Sequence, residues 1–229
     1  MKPKILVYAP KKLLVKSRIE KEFNLQELYE EACECYVSDI YMHLPILYEY
    51  AKDCEHVTEM GARGGNSTRT FLYANPQKFV SYDYQYETPE PHLEKEVKEL
   101  IFIFEKAKEQ GVNCEYIGAD VLTIEIEETD LLFIDTWHCY AQLKKELEIH
   151  AGKVRKYIAF HDTYTYGQKG EGYPEMDVNH PNRDALNGNG GIRKAIDEFL
   201  QENTEWSISY ETEENNGLII IEKEGYESI

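Results

Sequence analysis

No apolar run in this 229-residue chain approaches the ~18 residues that a membrane-spanning helix needs, so no bilayer partner is expected. The N-terminus has basic residues but neither a continuous apolar core nor a small-residue cleavage site, which argues against a secretory signal. Cysteine is scarce: there are five, and none forms a CxxC pair. Cys33 and Cys35 stand too close together for an ordinary zinc half-site. An odd, scattered set fits reduced thiols and a cytoplasmic setting. Basic residues are also in short supply. The chain carries 25 Lys and Arg against 43 Asp and Glu, a net charge of −18. Seven of the basic residues fall within positions 1–21, leaving 18 against 42 acidic residues beyond them. Such a body repels a polyphosphate, and nucleic acid is not an expected partner. The basic start is read as a solvated helix face, with a small anion-binding arm as the alternative. Two phosphate signatures are missing as well, the dinucleotide G-x-G-x-x-G and the Gly-Lys-Ser/Thr loop.

What remains is an ordinary globular composition, 42% hydrophobic, in a chain long enough for one sizeable core. "KILVY" (4–8) has the pattern of a short strand, and residues 11–36 that of helix. Pro45 suits the first turn of a helix in "PILYEYAKDC". From there strands and helices alternate. "HVTEM", "KFVSYDY", "CEYIGAD", "TDLLFIDT" and "KYIAFHDT" are strands. "EKEVKELIFIFEKAKEQG" repeats its apolar residues at helical spacing, and Gly111 ends it. The last segment, "WSISYETEENNGLIIIEK", is a hairpin turned at Asn215, Asn216 and Gly217. The expected fold is α/β: a doubly wound, mostly parallel seven-stranded sheet with an antiparallel C-terminal hairpin. Ligands of such sheets gather at the C-terminal ends of the strands, where Glu59, Asp83, Asp120, Asp135 and Asp162 are expected to stand.

"TEMGARGGNST" (58–68) is a glycine-rich strand-to-helix turn, with Ser67 or Asn66 as the expected helix cap. Its glycines are Gly61, Gly64 and Gly65, and Arg63 takes the place of the second fingerprint glycine. Glu59, just before the turn, repels a pyrophosphate but can bind an ammonium directly or through water. Asp83 can accept both ribose hydroxyls, which suits NAD equally well. Asp120 is placed to reach an adenine amino group.

"EMGARGGNST", "SYDY", "IGAD" and "LLFIDTWH" resemble the successive motifs of class I S-adenosylmethionine-dependent methyltransferases. The likeness covers roughly residues 38–223. It is nearest the branch of cephalosporin-hydroxylase-like proteins and macrolide-sugar O-methyltransferases (Methyltransferase 24-like). The resemblance implies a Rossmann-like methyltransferase fold over 38–229, preceded by a helical extension over 1–37. It also implies a cofactor site in which Gly61 and Gly65 approach the methionine part, Asp83 holds the ribose and Asp120 lies near adenine; Glu59 and Ser67 are further expected cofactor-binding residues. "SDIYMHLPILYEYA" (38–51) resembles a stretch that precedes the first motif in relatives of no known role.

"FIDTWHCY" and "FHDTYTYG" bring Asp135, His138, His161 and Asp162 to one rim. Oxygen ligands suit Mg²⁺, Mn²⁺ or Ca²⁺, and an added imidazole moves the preference toward Mn²⁺, Fe²⁺ or Zn²⁺. The resemblance implies a divalent metal on Asp135, His161 and Asp162, with His161 where Glu is more common, and His138 as catalytic base. A metal lowers the pKa of a bound hydroxyl, and a base removes its proton before methyl transfer. His43, His56, His92, His150 and His180 have no comparable context. Residues 164–190 form a long loop rich in Gly, Asn, Pro and Tyr, read as a substrate lid. Tyr164, Tyr166 and Tyr173 are its stacking candidates, and Asn179, Asn182 and Arg183 its hydroxyl-binding ones. The expected acceptor is a small molecule or saccharide, and assembly as a homo-oligomer stays open. Three other readings compete: a non-catalytic S-adenosylmethionine-binding protein, an NAD-linked oxidoreductase, and metal-dependent oxygen chemistry on Asp135, His138 and His161.

Overall fold

The structure, a computed structural model, describes residues 23–84, 91, 93–171 and 190–225. "KILVY", the first half of the 11–36 helix, His92, His180, Tyr173, Asn179, Asn182 and Arg183 lie outside the described residues. Six α-helices are described: α1 (Leu25–Cys33), α2 (Leu44–Ala51), α3 (Asn66–Ala74), α4 (Glu94–Glu109), α5 (Tyr140–His150) and α6 (Ile192–Glu202). Seven strands are β1 (His56–Met60), β2 (Lys78–Asp83), β3 (Cys114–Gly118), β4 (Thr129–Ile134), β5 (Val154–His161), β6 (Trp206–Thr212) and β7 (Leu218–Lys223). They form one sheet in the order β3-β2-β1-β4-β5-β7-β6. The first five are parallel, and β7 runs antiparallel to both β5 and β6.

The apolar runs of the central strands follow from burial on both faces. In β4, Leu131 and Phe133 join the core beneath α1 to α4, while Leu132 and Ile134 join the core beneath α5 and α6. The same alternation splits Ala159 from Ile158 and Phe160, and Leu218 and Ile220 from Ile219 and Ile221. Helix α1 belongs to the first core through Leu28 and Ala32. Its N-cap is Asn24, whose side-chain oxygen accepts from the N–H groups of Gln26 and Glu27. Pro45 stands in the first turn of α2, as its missing N–H allows.

Two features place the site. Strand order reverses between β1 and β4, which opens a crevice at their C-terminal ends. The register pairs Ile134 with Phe160 and His161 with Leu218. Asp135 and His161 therefore stand side by side at the strand tips, with the β6–β7 turn next to them. That turn holds Asn215, Asn216 and Gly217 at φ 46°, 74° and 95°, conformations that Asn and Gly tolerate.

Candidate active site

The turn after β1 is built against protein. Gly61 has φ 87°, and a Cβ there would lie 2.1 Å from the Asp135 carbonyl oxygen. Gly65 has φ 74°, and its Cβ would lie 2.5 Å from Leu100 Cδ1. The left-handed φ favours glycine at both positions, and at Gly61 the Asp135 backbone also leaves no room for a side chain. Gly65 is also the N-cap of α3, with no side-chain cap, in place of the expected Ser67 or Asn66.

Glu59 does not reach the rim. It is fully buried beneath the turn, where its Oε2 accepts from Thr68 Oγ1 at 2.7 Å and Ser81 Oγ at 2.5 Å. Burial pushes its carboxyl up to about 7, against the pull of hydrogen bonds from Ser67, Ser81 and Thr68. Glu59 and Ser67 form a brace under the turn, and the second Glu59 oxygen, Oε1, is buried with no hydrogen-bond partner among the described residues. Asp83, at the tip of β2, accepts the N–H groups of Ala62 and Arg63 on Oδ2, at 2.9 and 2.8 Å. It fastens the turn from the outside. Asp120 follows β3 and accepts the Leu122 N–H at 2.9 Å in an Asx turn.

Across the crevice, Asp135, His161 and Asp162 each offer one ligand atom, all within 4.8 Å of one another. His161 Nδ1 is 3.2 Å from Asp135 Oδ1. On its far side, His161 Nε2–H donates to the Asp39 carbonyl at 3.1 Å. That bond settles the tautomer of the neutral ring and leaves the Nδ1 lone pair facing the cluster. Asp162 is held at φ 60°, an uncommon conformation for a residue with a side chain, and such strain collects at functional sites. Its Oδ1 is buried with no hydrogen-bond partner among the described residues. An orphaned carboxylate oxygen beside a second carboxylate and an imidazole nitrogen is a donor set that fits a divalent cation.

His138 sits over this cluster. Its Nε2 is 3.0 Å from Asp135 Oδ1 and 3.2 Å from Asp162 Oδ2, and its Nδ1 is 3.1 Å from Glu171 Oε2. Tyr166 stacks on the ring at 5.0 Å. Burial lowers the imidazole, but hydrogen bonds to Asp135 and Glu171 outweigh it and push His138 up to about 10. His161 rises to about 9 because Asp135 outweighs its burial. Asp135 itself is held well below the usual carboxylate range: burial would raise it, but the charges of His161 and His138 dominate.

The sequence reading missed three contributors. Residues 38–43 lie across the rim as a strap. The Ser38 hydroxyl accepts from Asn66 Nδ2, the Asp39 carbonyl accepts from His161, and Asp39 faces Arg63 at 3.7 Å. His43, to which no context was assigned, packs edge-on against His161 at 5.4 Å and hydrogen-bonds the Asn215 carbonyl. Its imidazole is pulled down to about 4, by burial first and then by the charge of His161. The Asn215 amide is the second: its oxygen accepts the Met42 N–H and its nitrogen donates to the Ser38 carbonyl. Glu171 is the third. The alternation pattern marks strands and helices only, and all three contributors lie outside both.

No protein-family model matches the chain, and no curated protein matches it by sequence. Solved structures do. It is similar to an O-methyltransferase from Bacillus cereus solved in complex with S-adenosylhomocysteine, at 15% identity over 93% of this chain and 97% of that one, with a TM-score of 0.56. It is likewise similar to TomG, an O-methyltransferase of tomaymycin synthesis from Streptomyces achromogenes, at 14% identity over 93% and 95%, TM-score 0.56. A third is the Podospora anserina methyltransferase PaMTH1, at 18% identity over 97% and 100%, TM-score 0.52. The chain therefore has the Rossmann-like fold of class I S-adenosylmethionine-dependent methyltransferases, closed by an antiparallel C-terminal hairpin.

Proposed function

We propose that the chain is an S-adenosylmethionine-dependent methyltransferase that methylates a hydroxyl of a small molecule or saccharide with the help of a divalent cation such as Mg²⁺ or Mn²⁺. One observation carries the proposal. The braced turn after β1 and the cluster of Asp135, His161 and Asp162 face each other across the β1–β4 switch point, the ligand crevice of this sheet type. The methionine part of the cofactor lies along the turn at Gly61 and Gly65, its ribose at Asp83 and its adenine near Asp120. Asp135, His161 through Nδ1, and Asp162 would hold the cation, which supplies charge to lower the pKa of an acceptor hydroxyl.

The chain's own residues do the rest. His138 Nε2 receives the hydroxyl proton. The groups that keep His138 protonated are the carboxylates of Asp135, Asp162 and Glu171. Two of these belong to the ligand set, so their engagement there leaves Nε2 able to accept a proton. The strap of residues 38–43 covers one side, and Tyr164 and Tyr166 offer ring faces to a sugar or aromatic acceptor. Holding acceptor and methyl in line supplies several kcal/mol, about 7 or more in well-oriented systems.

Calorimetry with S-adenosylmethionine, S-adenosylhomocysteine and NAD tests the cofactor; binding of NAD alone would sink the proposal. Labelled methyl donor, screened against hydroxylated metabolites and sugars, finds the acceptor. His138→Ala is then expected to lower kcat by about 10²–10⁴, with cofactor affinity kept. Asp135→Ala is expected to lower both turnover and Mn²⁺ binding. Unchanged turnover in both variants would remove the site. A non-catalytic S-adenosylmethionine-binding protein is the second reading, favoured by the three carboxylates around His138. Any turnover excludes it.

A further inference from the structure

The insertion after β5 touches the catalytic rim at Glu171. Its Oε2 lies 3.1 Å from His138 Nδ1, and its backbone N–H donates to the His138 carbonyl at 2.8 Å. Side chain and backbone of one residue thus clasp one histidine. Gly170 permits the approach: a Cβ there would stand 2.8 Å from the Gly190 carbonyl oxygen and 3.2 Å from Cys139 Cα. Tyr166 covers a face of the ring, nearly parallel to it at 9°. The opposite edge, Nε2, looks at Asp135 and Asp162.

An ionised carboxylate can only accept, so the nitrogen that faces Glu171 carries a hydrogen, and so does Nε2 until a cation takes up the Asp135 and Asp162 oxygens that face it. In a neutral imidazole with Nδ1–H, the lone pair is on Nε2. We infer that Glu171 is a positioning residue: it holds His138 as the Nδ1–H tautomer, so that Nε2 is the atom that takes the acceptor's proton. The inference rests on the proposal that His138 is the base. Without Glu171 the ring is free to adopt the Nε2–H tautomer, which is the commoner one in solution and presents no lone pair to the crevice. Glu171 follows β5 and lies outside the sheet, so the base is oriented by a residue that the sheet does not supply.

The test is long-range ¹⁵N–¹H NMR on protein labelled at histidine nitrogen, with Mg²⁺ and S-adenosylhomocysteine added, at alkaline pH where the ring is neutral. His138→Gln identifies the signals of His138. In the unmodified protein Nδ1 is expected to be protonated and Nε2 bare. Glu171→Gln keeps that state, because its amide oxygen accepts the same hydrogen. Glu171→Ala shifts it toward Nε2–H or a mixture. With an acceptor from the screen, Glu171→Ala lowers kcat about 10–100-fold, the usual effect of losing a partner that orients a functional side chain. Glu171→Gln recovers most of it, and cofactor affinity is unchanged in both. An unchanged tautomer in Glu171→Ala overturns the inference, with or without an acceptor in hand. So does a shifted tautomer with unchanged kcat. Wild-type turnover in His138→Ala would instead remove the base itself. An inactive His138→Ala beside a silent Glu171→Ala removes the role of Glu171 alone.

Discussion

Glu59 shows what burial does to a side chain that composition marks as charged. Its carboxyl has no solvent contact and rises from an ordinary 4.5 to about 7 because the ionised form loses water. Glu146 behaves alike. It is buried against Thr136 and Gln142 and rises to about 7, again by burial first. Both groups bind a proton more tightly in the folded chain than in the unfolded one. Their contribution to stability is complete below about pH 4.5 and is lost as pH rises through about 7. Glu59→Gln and Glu146→Gln remove that loss. Relative to the unmodified chain, each variant is expected to gain on the order of 2–3 kcal/mol between pH 5 and pH 8. Urea unfolding at the two pH values measures it. A gap that stays constant with pH would mean that these carboxyls ionise normally in the fold.

At the scale of elements, the site is made by strand tips, and what shapes each tip is its neighbour. The Asp135 N–H donates to the Met60 carbonyl, and the Asp135 carbonyl fills the space where Gly61 lacks a side chain. Gly61→Ala therefore meets a backbone atom in addition to an unfavourable φ. The conformational part alone costs about 1–3 kcal/mol. The clash adds to it and moves Asp135 away from His161. The expected outcome is a lower unfolding midpoint together with weaker Mn²⁺ binding, read by thermal unfolding and calorimetry. Stability lost with metal affinity intact would show that the two tips move independently. The β6–β7 turn has a similar part. Its Asn216 carbonyl accepts from the N–H groups of Tyr164 and Thr165, and its Asn215 amide ties down the strap. Reversing the last strand brings this turn to the ligand edge of the sheet, where a parallel strand would have put its other end.

The whole molecule is strongly acidic, with a net charge of −18. Self-repulsion of that size opposes the compact state. Raising salt from ~0.01 to ~0.15 M shortens the screening length from about 30 to about 8 Å. The thermal midpoint is expected to rise by about 2–4 °C, as for 1 kcal/mol in a chain of this size. A midpoint that falls with added NaCl would show that attractive pairs dominate. Several are present, among them Arg69–Glu99 and the Arg155 and Lys156 contacts to buried Asp130. Among the described residues no helix is long and apolar enough to cross a membrane.

The sequence by itself determined the elements and their order. Two-sided burial writes continuous apolar runs, helical packing writes a 3.6-residue period, and the Asn215–Asn216–Gly217 turn writes its own conformational need. It also marked Asp135, His138, His161 and Asp162, because strand-end positions can be counted along the chain. Only the tertiary structure decided what each polar group faces. It sent Glu59 under the turn, gave Gly61 its reason in the Asp135 carbonyl, brought Asp39 and His43 to His161 and Glu171 to His138, and set Asn215 against His43. These contacts span up to 122 residues for Asp39 and His161 and 172 for His43 and Asn215. Periodicity reports which way a side chain points relative to its own element. It does not report which distant backbone carbonyl or carboxylate will meet it once the sheet has assembled.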